Sequence, residues 1–525
     1  MRKNIRKLLM IGIVLTVGYM SVTSPFFSQS LLKMANDNKD SFMKWPEPSE
    51  FQNPAYPAPD WLRDAVILEV PIRSFNHPDF SNSDQWENKF GNASYLSIIG
   101  KLDFLKELGV NVICLYSVYY NTPGTNLYAI RHHEANPDLG TLDDIKTLIN
   151  KAHQMGFHVI SNTNHYGVDQ TSPMITEHPD WFIPKEYNLY GQRVFDVSNP
   201  EVVKYIIDTH TWWCTEIGLD GWRIDIAHET YRKYIWDPIL KSCFARGKQI
   251  LLSTEGVHLD GHIRGAGWSE FPVSRDMEDP LFSWENPEAE YGSMKSFTNI
   301  STEDPYRVKD ISSHNSKTPC AYNYNPGECP REGAYQVKGS RFLFGHNLIF
   351  APFVPWMMHG ELFNATHLVV PGLLNHRLNG KLLHSYLDWN DIDEQQDVIS
   401  DFKRIINIRM NHKDIFHNNW HETNLINVPF TSNPYSNVKP YARFIPGEKA
   451  IIVVGNNNTV KDVTFRLQIS PGKLGFSDEK EFTVTDLWTN SEKTVRVERL
   501  SDYPIVVPKD KSPGGGVRVI LVTKK

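Results

Sequence analysis

The sequence predicts an α/β fold, a (β/α)8 TIM barrel with a short insertion after its third strand, followed by a C-terminal antiparallel β-sandwich. Three observations support this prediction. Apolar runs alternate with segments of helical periodicity as far as about residue 420, and short alternating segments separated by Asn, Gly and Pro follow. Two carboxylates each end an apolar run, and the chemistry of such barrels lies at the carboxyl ends of the strands.

The length of 525 residues exceeds that of one ordinary domain, so several parts are expected. We predict an export signal or membrane anchor over residues 1–30 and a linker rich in Pro, Asn and Ser over 31–60. The barrel is expected over 61–420, with its insertion over 166–198. The sandwich is expected over 421–525.

Signals of capping and periodicity define the elements in order. The helix after the first strand has apolar residues at helical spacing from Tyr95 to Leu105. Thr141 and Asp144 form a capping box, and Asn199 followed by a proline and an acid begins a later helix. Barrel strands are expected at about 65–70, 110–116, 157–161, up to 225, up to 255, 271–273, 308–312 and 348–354, a last helix at 397–410, and sandwich strands at 450–454, 463–467, 482–487 and 517–522.

The N-terminus has the pattern of an export signal. Basic residues within the first seven positions stand directly before an apolar stretch from Leu8 to about Met20. A periplasmic, extracellular or membrane-anchored protein is therefore expected. The small residues from Ser21 to Ser24 suit a cleavage site, but Pro25 follows them directly. The uncharged span is also long enough to remain as a membrane anchor, so cleavage and retention both stay open.

Composition narrows the classes of partner. The 54 basic and 61 acidic residues give a net charge of −7, with no dense basic run beyond the first seven positions, which argues against nucleic acid. In an exported chain, Cys320 and Cys329 flank a loop that a disulfide would close. Cys114, Cys214 and Cys243 fall inside predicted elements, where a buried free thiol is the default.

Asp225 and Glu255 are the candidate catalytic residues, at the ends of two successive strands. Residues two apart share a face of a strand, so Arg223 points the same way as Asp225 and favours its ionised form. Glu255, beside an ionised acid, is expected to hold its proton more tightly, which suits a general acid. Either acid alone is as often a structural cap, but together they predict the paired carboxylates of a retaining glycosidase.

The segment Gly221-Trp222-Arg223-Ile224-Asp225 resembles strand four of glycoside hydrolase family 13, the α-amylase family, and Glu255 resembles the acid/base on strand five. Segments 137–141, 178–182 and 355–363 also agree, so the resemblance spans roughly residues 61–525. It implies an α-glucan or oligosaccharide partner, with Asp225 as nucleophile and Glu255 as acid/base. It further implies substrate contacts from Arg223, His314, Asn315 and His165.

The resemblance also indicates a divergent active site. Asn162 stands where the family has an acid before the Asn164-His165 pair, and the family's stacking tyrosine is not visible between Tyr119 and Tyr128. His314-Asn315 replaces the family's His-Asp, so an amide without charge faces the developing oxocarbenium ion. For His165 and His314, contact with sugar and packing in the core both stay open as roles.

The family often binds calcium, and the resemblance implies Asn164 and Asp196 as ligands here. Their oxygens suit Ca²⁺, which takes six to eight such ligands.

Two functions therefore compete. The first is an exported glycosidase or transglycosylase that acts on α-glucans by retaining double displacement. The second is a catalytically silent amylase-like protein that binds glycan or acts as a scaffold at the cell surface. In a third possibility, an acid such as Asp276, Glu278 or Asp279 takes the place of the acid that the family has where this chain has Asn315. Hydrolysis versus transfer, linkage and oligomeric state stay open.

Overall fold

The structure is a computed structural model that describes residues 55–56, 59–75, 94–121, 130–187, 191–224, 231–254, 340–351, 354–358, 361–363, 367–369, 385–387, 389, 391–417, 424–436, 438–458 and 460–525. The predicted export segment, most of the linker, and the predicted sixth and seventh barrel strands lie outside these ranges. Within the described ranges, no helix is both long and apolar enough to cross a membrane.

The described strands are numbered in chain order. They are β1 Ile67–Pro71, β2 Val112–Tyr116, β3 Tyr119–Asn121, β4 Ile130–Ala135, β5 His158–Thr163, β6 Gly167–Val168, β7 Phe182–Tyr187, β8 Arg193–Phe195, β9 Gly221–Ile224, β10 Leu251–Thr254, β11 Trp356–Met358, β12 His367–Val369, β13 Ser385–Leu387, β14 Asn424–Asn427, β15 Phe430–Asn433, β16 Tyr441–Ile445, β17 Lys449–Gly455, β18 Val463–Leu467, β19 Glu481–Asp486, β20 Ser491–Arg496, β21 Tyr503–Val507 and β22 Val517–Lys524.

The helices are numbered in the same way, and three of them continue into or follow π-helical turns. They are α1 Ile72–Phe75, α2 Tyr95–Ile99, α3 Leu102–Leu108, α4 Leu142–Gln154, α5 Met174–Glu177, α6 Pro200–Trp212, α7 Asp237–Ala245, α8 Ser340–Phe342, α9 Asp391–Glu394, α10 Gln396–Asn411, α11 Lys413–Phe416 and α12 Val497–Leu500. The π-helical turns are Trp213–Ile217, Arg232–Trp236 and Leu343–Ile349.

The barrel wall is a parallel sheet in the order β10-β9-β5-β2-β1-β11. β1 pairs with β2 on one side and with β11 on the other, so the first barrel strand touches the last described one. A sheet whose first and last strands are neighbours closes on itself, and the fold is the predicted (β/α)8 barrel. The insertion after β5 forms a small antiparallel sheet in the order β6-β8-β7.

Two predicted helix starts are confirmed in detail. At α4 the Thr141 hydroxyl accepts the backbone N–H of Asp144 at 3.2 Å, and Asp144 accepts the backbone N–H of Thr141 at 2.7 Å. At α6 the Asn199 side chain accepts the backbone N–H of Glu201 at 2.9 Å. Local capping chemistry therefore sets both helix starts.

Two predicted elements were wrong. The expected helix from Tyr95 to Leu105 is broken at Gly100 into α2 and α3, because glycine is a poor interior helix residue. The predicted eighth strand at 348–354 begins inside a helix, since Leu343–Ile349 is helical and the strand is β11. A short apolar run does not distinguish a buried helix end from a buried strand.

The C-terminal region is the predicted antiparallel sandwich. One sheet has the order β14-β16-β17-β22-β19-β20, and the other has the order β15-β18-β21. Apolar side chains from both sheets form a shared core, including Ile452, Phe465 and Val522. Alternate residues of each strand face this core, which explains the alternating sequence pattern.

Arg341 in α8 joins the barrel to the sandwich. It donates to Asp401 at 2.5 Å and to Asp397 at 2.7 Å, both on α10, and to the carbonyl of Asp510 at 3.3 Å. The Asp510 carboxylate accepts the backbone N–H of Phe342 at 2.6 Å. One buried guanidinium therefore connects both units.

Asp220 anchors the opposite end of the barrel, where β9 begins. Its carboxylate accepts the backbone N–H of Val159 at 2.7 Å and lies 2.7 Å from Nε2 of His153. The ammonium of Lys248 lies 3.7 Å away and donates to the carbonyl of Gly218 at 2.8 Å. This network fixes the amino ends of the neighbouring strands β5 and β9.

Candidate active site at the carboxyl ends of the strands

Three neighbouring strands end level with one another. Thr163 at the end of β5 is in register with Ile224 at the end of β9, and Ile224 is in register with Thr254 at the end of β10. The next residues in the sequence after β9 and β10 are Asp225 and Glu255. Both predicted catalytic residues lie outside the described ranges, and so do His314 and Asn315.

Arg223 stands one position before the end of β9 and is 1% exposed. Trp222 points outwards, because its ring stacks on Tyr119 with centroids 5.6 Å apart and its indole N–H donates to the His210 carbonyl at 3.4 Å. Alternate residues of a strand face opposite ways, so Arg223 faces the barrel interior. Asn162 is in register with Arg223 on the adjacent strand.

A polar row thus crosses three strands just below their ends. Asn162 on β5, Arg223 on β9 and Ser253 on β10 are in register, and each is at least 97% buried. Gly221 permits this close pairing, since a Cβ there would lie 2.1 Å from the Leu251 carbonyl oxygen. Such a row inside an apolar wall indicates a functional end of the barrel.

Glu69 is a buried acid that the sequence reasoning missed. It lies on β1 in register with Cys114 on β2. Burial raises the pKa of the Cys114 thiol well above its usual range, the Glu69 carboxylate adds to that rise, and the Arg223 guanidinium opposes it. Charges of both signs therefore act within the barrel interior. A lone Glu inside the apolar segment Ile67–Pro71 was the available signal.

Two neutral histidines hold the end of β5. Nε2 of His133 lies 3.2 Å from the Asn164 carbonyl and must donate to it, so Nδ1 accepts from the Tyr205 hydroxyl at 3.2 Å. Nδ1 of His210 donates to a carbonyl of α6, and Nε2 accepts from the Thr163 hydroxyl at 2.7 Å. Burial lowers the pKa of His133 to about 4 and that of His210 well below its usual range.

These two histidines position the segment that carries His165. They were missed because their partners are distant in sequence and their own segments carry no motif. His165 is fully buried and meets Tyr231 and Trp236 edge-on, with centroids 5.0 and 4.9 Å apart. Its ring therefore lies in an aromatic setting, while its role in sugar contact stays a prediction.

Asn164 and Asp196 both lie in the described part of the chain, and each makes hydrogen bonds with other protein groups. The Asn164 amide donates to Gln192 at 3.2 Å and its oxygen accepts the backbone N–H of Tyr166. One Asp196 oxygen accepts the backbone N–H and hydroxyl of Ser198. Among the described residues, no three His, Cys, Asp or Glu side chains form a metal site. Calcium stays a prediction, and no chemical step is assigned to it.

Comparison with known proteins identifies the barrel. A family model described as the α-amylase catalytic domain matches residues 73–189. Residues 73–189, which lie within the barrel, therefore match the α-amylase family. A cyclomaltodextrinase from Thermoanaerobacter pseudethanolicus is 28% identical over 205 residues, covering 33% of this chain and 36% of that protein. An intracellular maltogenic amylase from Bacillus subtilis (strain 168) is also 28% identical over 205 residues, covering 33% and 35%.

The match spans about a third of the length of these relatives. A solved structure reaches further. The α-amylase from Geobacillus thermoleovorans, complexed with acarbose, has a TM-score of 0.59 at 18% identity and covers 88% of this chain and 99% of its own. This likeness shows that the two proteins share a fold across both the barrel and the sandwich.

Proposed function

We propose that this α-amylase-family chain is a glycosidase or transglycosylase that acts on α-glucans by retaining double displacement. The level ends of β9 and β10, each followed directly in sequence by a carboxylic acid, carry the proposal. The names of the relatives agree in substrate class: cyclomaltodextrinase and maltogenic amylase.

In this mechanism Asp225 attacks the anomeric carbon while Glu255 protonates the leaving oxygen. Glu255 then takes a proton from water or an acceptor sugar, which releases the product with retained configuration. Arg223, already buried one position before the end of β9, orients Asp225 and favours its ionised form. His314 and Asn315 are proposed to hold sugar hydroxyls.

The decisive experiment is covalent trapping with an activated α-glucosyl fluoride. In a Glu255→Gln variant, fluoride leaves without acid assistance and the missing base slows hydrolysis, so a glucosyl adduct should accumulate and map to Asp225. Asp225→Asn is the matched control and should give no adduct. If wild type turns over no α-glucan and no adduct forms on Asp225, the proposed mechanism is wrong.

A silent glycan-binding protein is the second candidate. The buried Asn162 favours it, because this amide lies beside Arg223 where the family has an acid, and Asn315 is a second such amide. Asn315→Asp separates the two candidates. An otherwise complete site should gain about 10²–10³ in rate, by analogy with restoring one preorganised group. No gain, together with retained glycan binding, would favour the silent protein.

Export is proposed from the N-terminal sequence alone, namely basic residues followed by the apolar stretch from Leu8. Cell fractionation of the native host tests it. Intact mass then distinguishes a cleaved signal from a retained anchor, and recovery of the full-length chain in the cytosol would contradict export.

A further inference from the structure

A groove lies between the last barrel helix and the sandwich, away from the residues of the predicted active site. One wall is formed by α10, and the other by the turn that joins β19 to β20, which includes Trp488 and Asn490. The volume of the groove is about 360 Å³, at the small end of the range for ligand pockets. The groove therefore has room for a small ligand.

The α10 wall of the groove is a polar stripe. Ser400, Arg404, Asn407 and Asn411 follow one another at spacings of four, three and four residues, which places them on one face of the helix. Asn490 stands on the opposite wall. Within the described part of the chain, the hydroxyl and the three amides make no side-chain hydrogen bond to another residue. Their donors and acceptors are thus available to a ligand.

Arg404 supplies the charge of the groove. It forms no ion pair with any carboxylate among the described residues, whereas the neighbouring Lys403 is paired with Glu107 at 2.5 Å. His412 also lines the groove, but burial lowers its pKa, so its ring is largely neutral at pH 7. The lining residues include no Asp or Glu. A groove with one unpaired cation and no acid in its lining favours an anionic ligand.

An aromatic ring holds Arg404 in place. Its guanidinium lies over the Trp488 ring, 5.4 Å from the centroid, and that of Arg518 lies 5.1 Å from the same centroid. Stacking leaves the N–H edge of a guanidinium available and reduces the side-chain entropy that binding would cost. Burial lowers the pKa of Arg518, and the charge of Arg404 lowers it further, against the opposite effect of Asp486 and Asp401. An anion bound to Arg404 would relieve the repulsion between the two guanidinium groups.

We propose that this groove binds a phosphate monoester of a sugar, with the phosphate on Arg404 and the sugar hydroxyls on the amides of the two walls. The planar fork of a guanidinium matches the oxygens of a phosphate. A side-chain amide both donates and accepts hydrogen bonds, as a sugar hydroxyl does. The inference does not depend on the proposed catalytic function.

The test is calorimetric titration of the full-length chain with glucose 6-phosphate, inorganic phosphate and glucose as separate probes. We expect saturable binding of glucose 6-phosphate, tighter than that of either other probe. Arg404→Gln should weaken this binding roughly 10- to 100-fold, the loss expected for a charge-assisted hydrogen bond. Arg466→Gln is the matched control, because it removes an exposed guanidinium elsewhere in the sandwich and should leave binding unchanged. No saturable binding, or binding that Arg404→Gln leaves unchanged, would overturn the proposal.

A double variant tests the sugar half of the site. Asn407→Ala with Asn411→Ala removes two amides of α10 and leaves Arg404 in place. In this variant glucose 6-phosphate should bind no more tightly than inorganic phosphate, while the affinity for inorganic phosphate is kept. Equal affinities for the two probes in the wild-type chain, or an unchanged preference in the double variant, would overturn the assignment to a sugar phosphate. Circular dichroism checks that each variant is folded.

Discussion

Asp220, whose side chain is 13% exposed, and the fully buried Asp510 behave in opposite ways. Burial acts to raise the pKa of Asp220 at the base of the barrel. The pKa nevertheless lies below its usual value, because His153, the Val159 N–H and Lys248 stabilise the carboxylate by hydrogen bonds and charge. Burial raises the pKa of Asp510, at the junction with the sandwich, to about 7.

The difference lies in how cations are distributed. Asp220 has His153 and Lys248 close to its own carboxylate. At the junction Arg341 donates to Asp397, to Asp401 and to the backbone carbonyl of Asp510. Its charge lowers the pKa of the Asp510 carboxyl, but by less than burial raises it. A cation shared with two other carboxylates therefore does not offset the burial of Asp510, whereas His153 and Lys248 beside Asp220 offset the burial of that carboxylate.

Removing the shared cation should have the largest effect. Arg341→Met leaves the buried Asp401 carboxylate without its charged partner, and we expect a loss of about 3–5 kcal/mol in the free energy of unfolding. Denaturant titration at pH 7 measures it. The control is Arg466→Met, which removes an exposed ion pair with Asp502 and should cost about 0–1 kcal/mol. Equal losses in both variants would contradict the contrast between buried and exposed pairs.

Asp510→Asn should change the pH dependence of stability. A pKa raised to about 7 in the folded chain means that Asp510 favours folding at low pH and that this contribution is lost as pH rises towards 7. Relative to wild type, the variant should gain roughly 2.5 kcal/mol between pH 5 and pH 8, because the gain is about 1.4 kcal/mol per pH unit up to pH 7 and levels off above it. Urea titrations of both proteins across this range measure the difference, and a pH-independent difference would refute the assignment.

Asp220→Asn should show the opposite sign. A lowered pKa contributes stability above the ordinary value and loses it as pH falls through the folded value. We expect a loss of about 1.5 kcal/mol at pH 7, typical of a hydrogen bond to a charged group. The loss should shrink below about pH 4, where an ordinary Asp side chain becomes protonated. A loss that is unchanged at pH 3 would show that shape, not charge, matters here.

The smallest effect is expected at an exposed carboxylate. Hydrogen bonds from the backbone N–H and hydroxyl of Thr141 lower the pKa of Asp144, without any cation. Thr141→Ala should lower the unfolding midpoint by less than Asp220→Asn does, because the two hydrogen bonds that it removes, both between the Thr141 hydroxyl and Asp144, are exposed. Thr147→Ala in the same helix is the control and should be nearly neutral, since its hydroxyl only bonds the Asp143 carbonyl one turn earlier.

Much of the fold was predictable from local signals. A few neighbouring residues are enough to predict the helix starts at Thr141 and Asn199. The same holds for the alternating strands of the sandwich, such as 463–467. The eighth strand was misplaced because the apolar run before Pro355 suits a buried helix as well as a strand. The helical turn Leu343–Ile349 packs against α10 and β17, which are distant in sequence, and these contacts favour the helix.

The sequence by itself determined the barrel, the sandwich and the identity of the acids after two successive strands, since periodicity and motif order are local properties. Only the tertiary structure decided that β5, β9 and β10 end level and that Glu69 and Arg223 act on the same interior thiol. Those relations depend on strand register and helix packing, which join residues far apart in the chain.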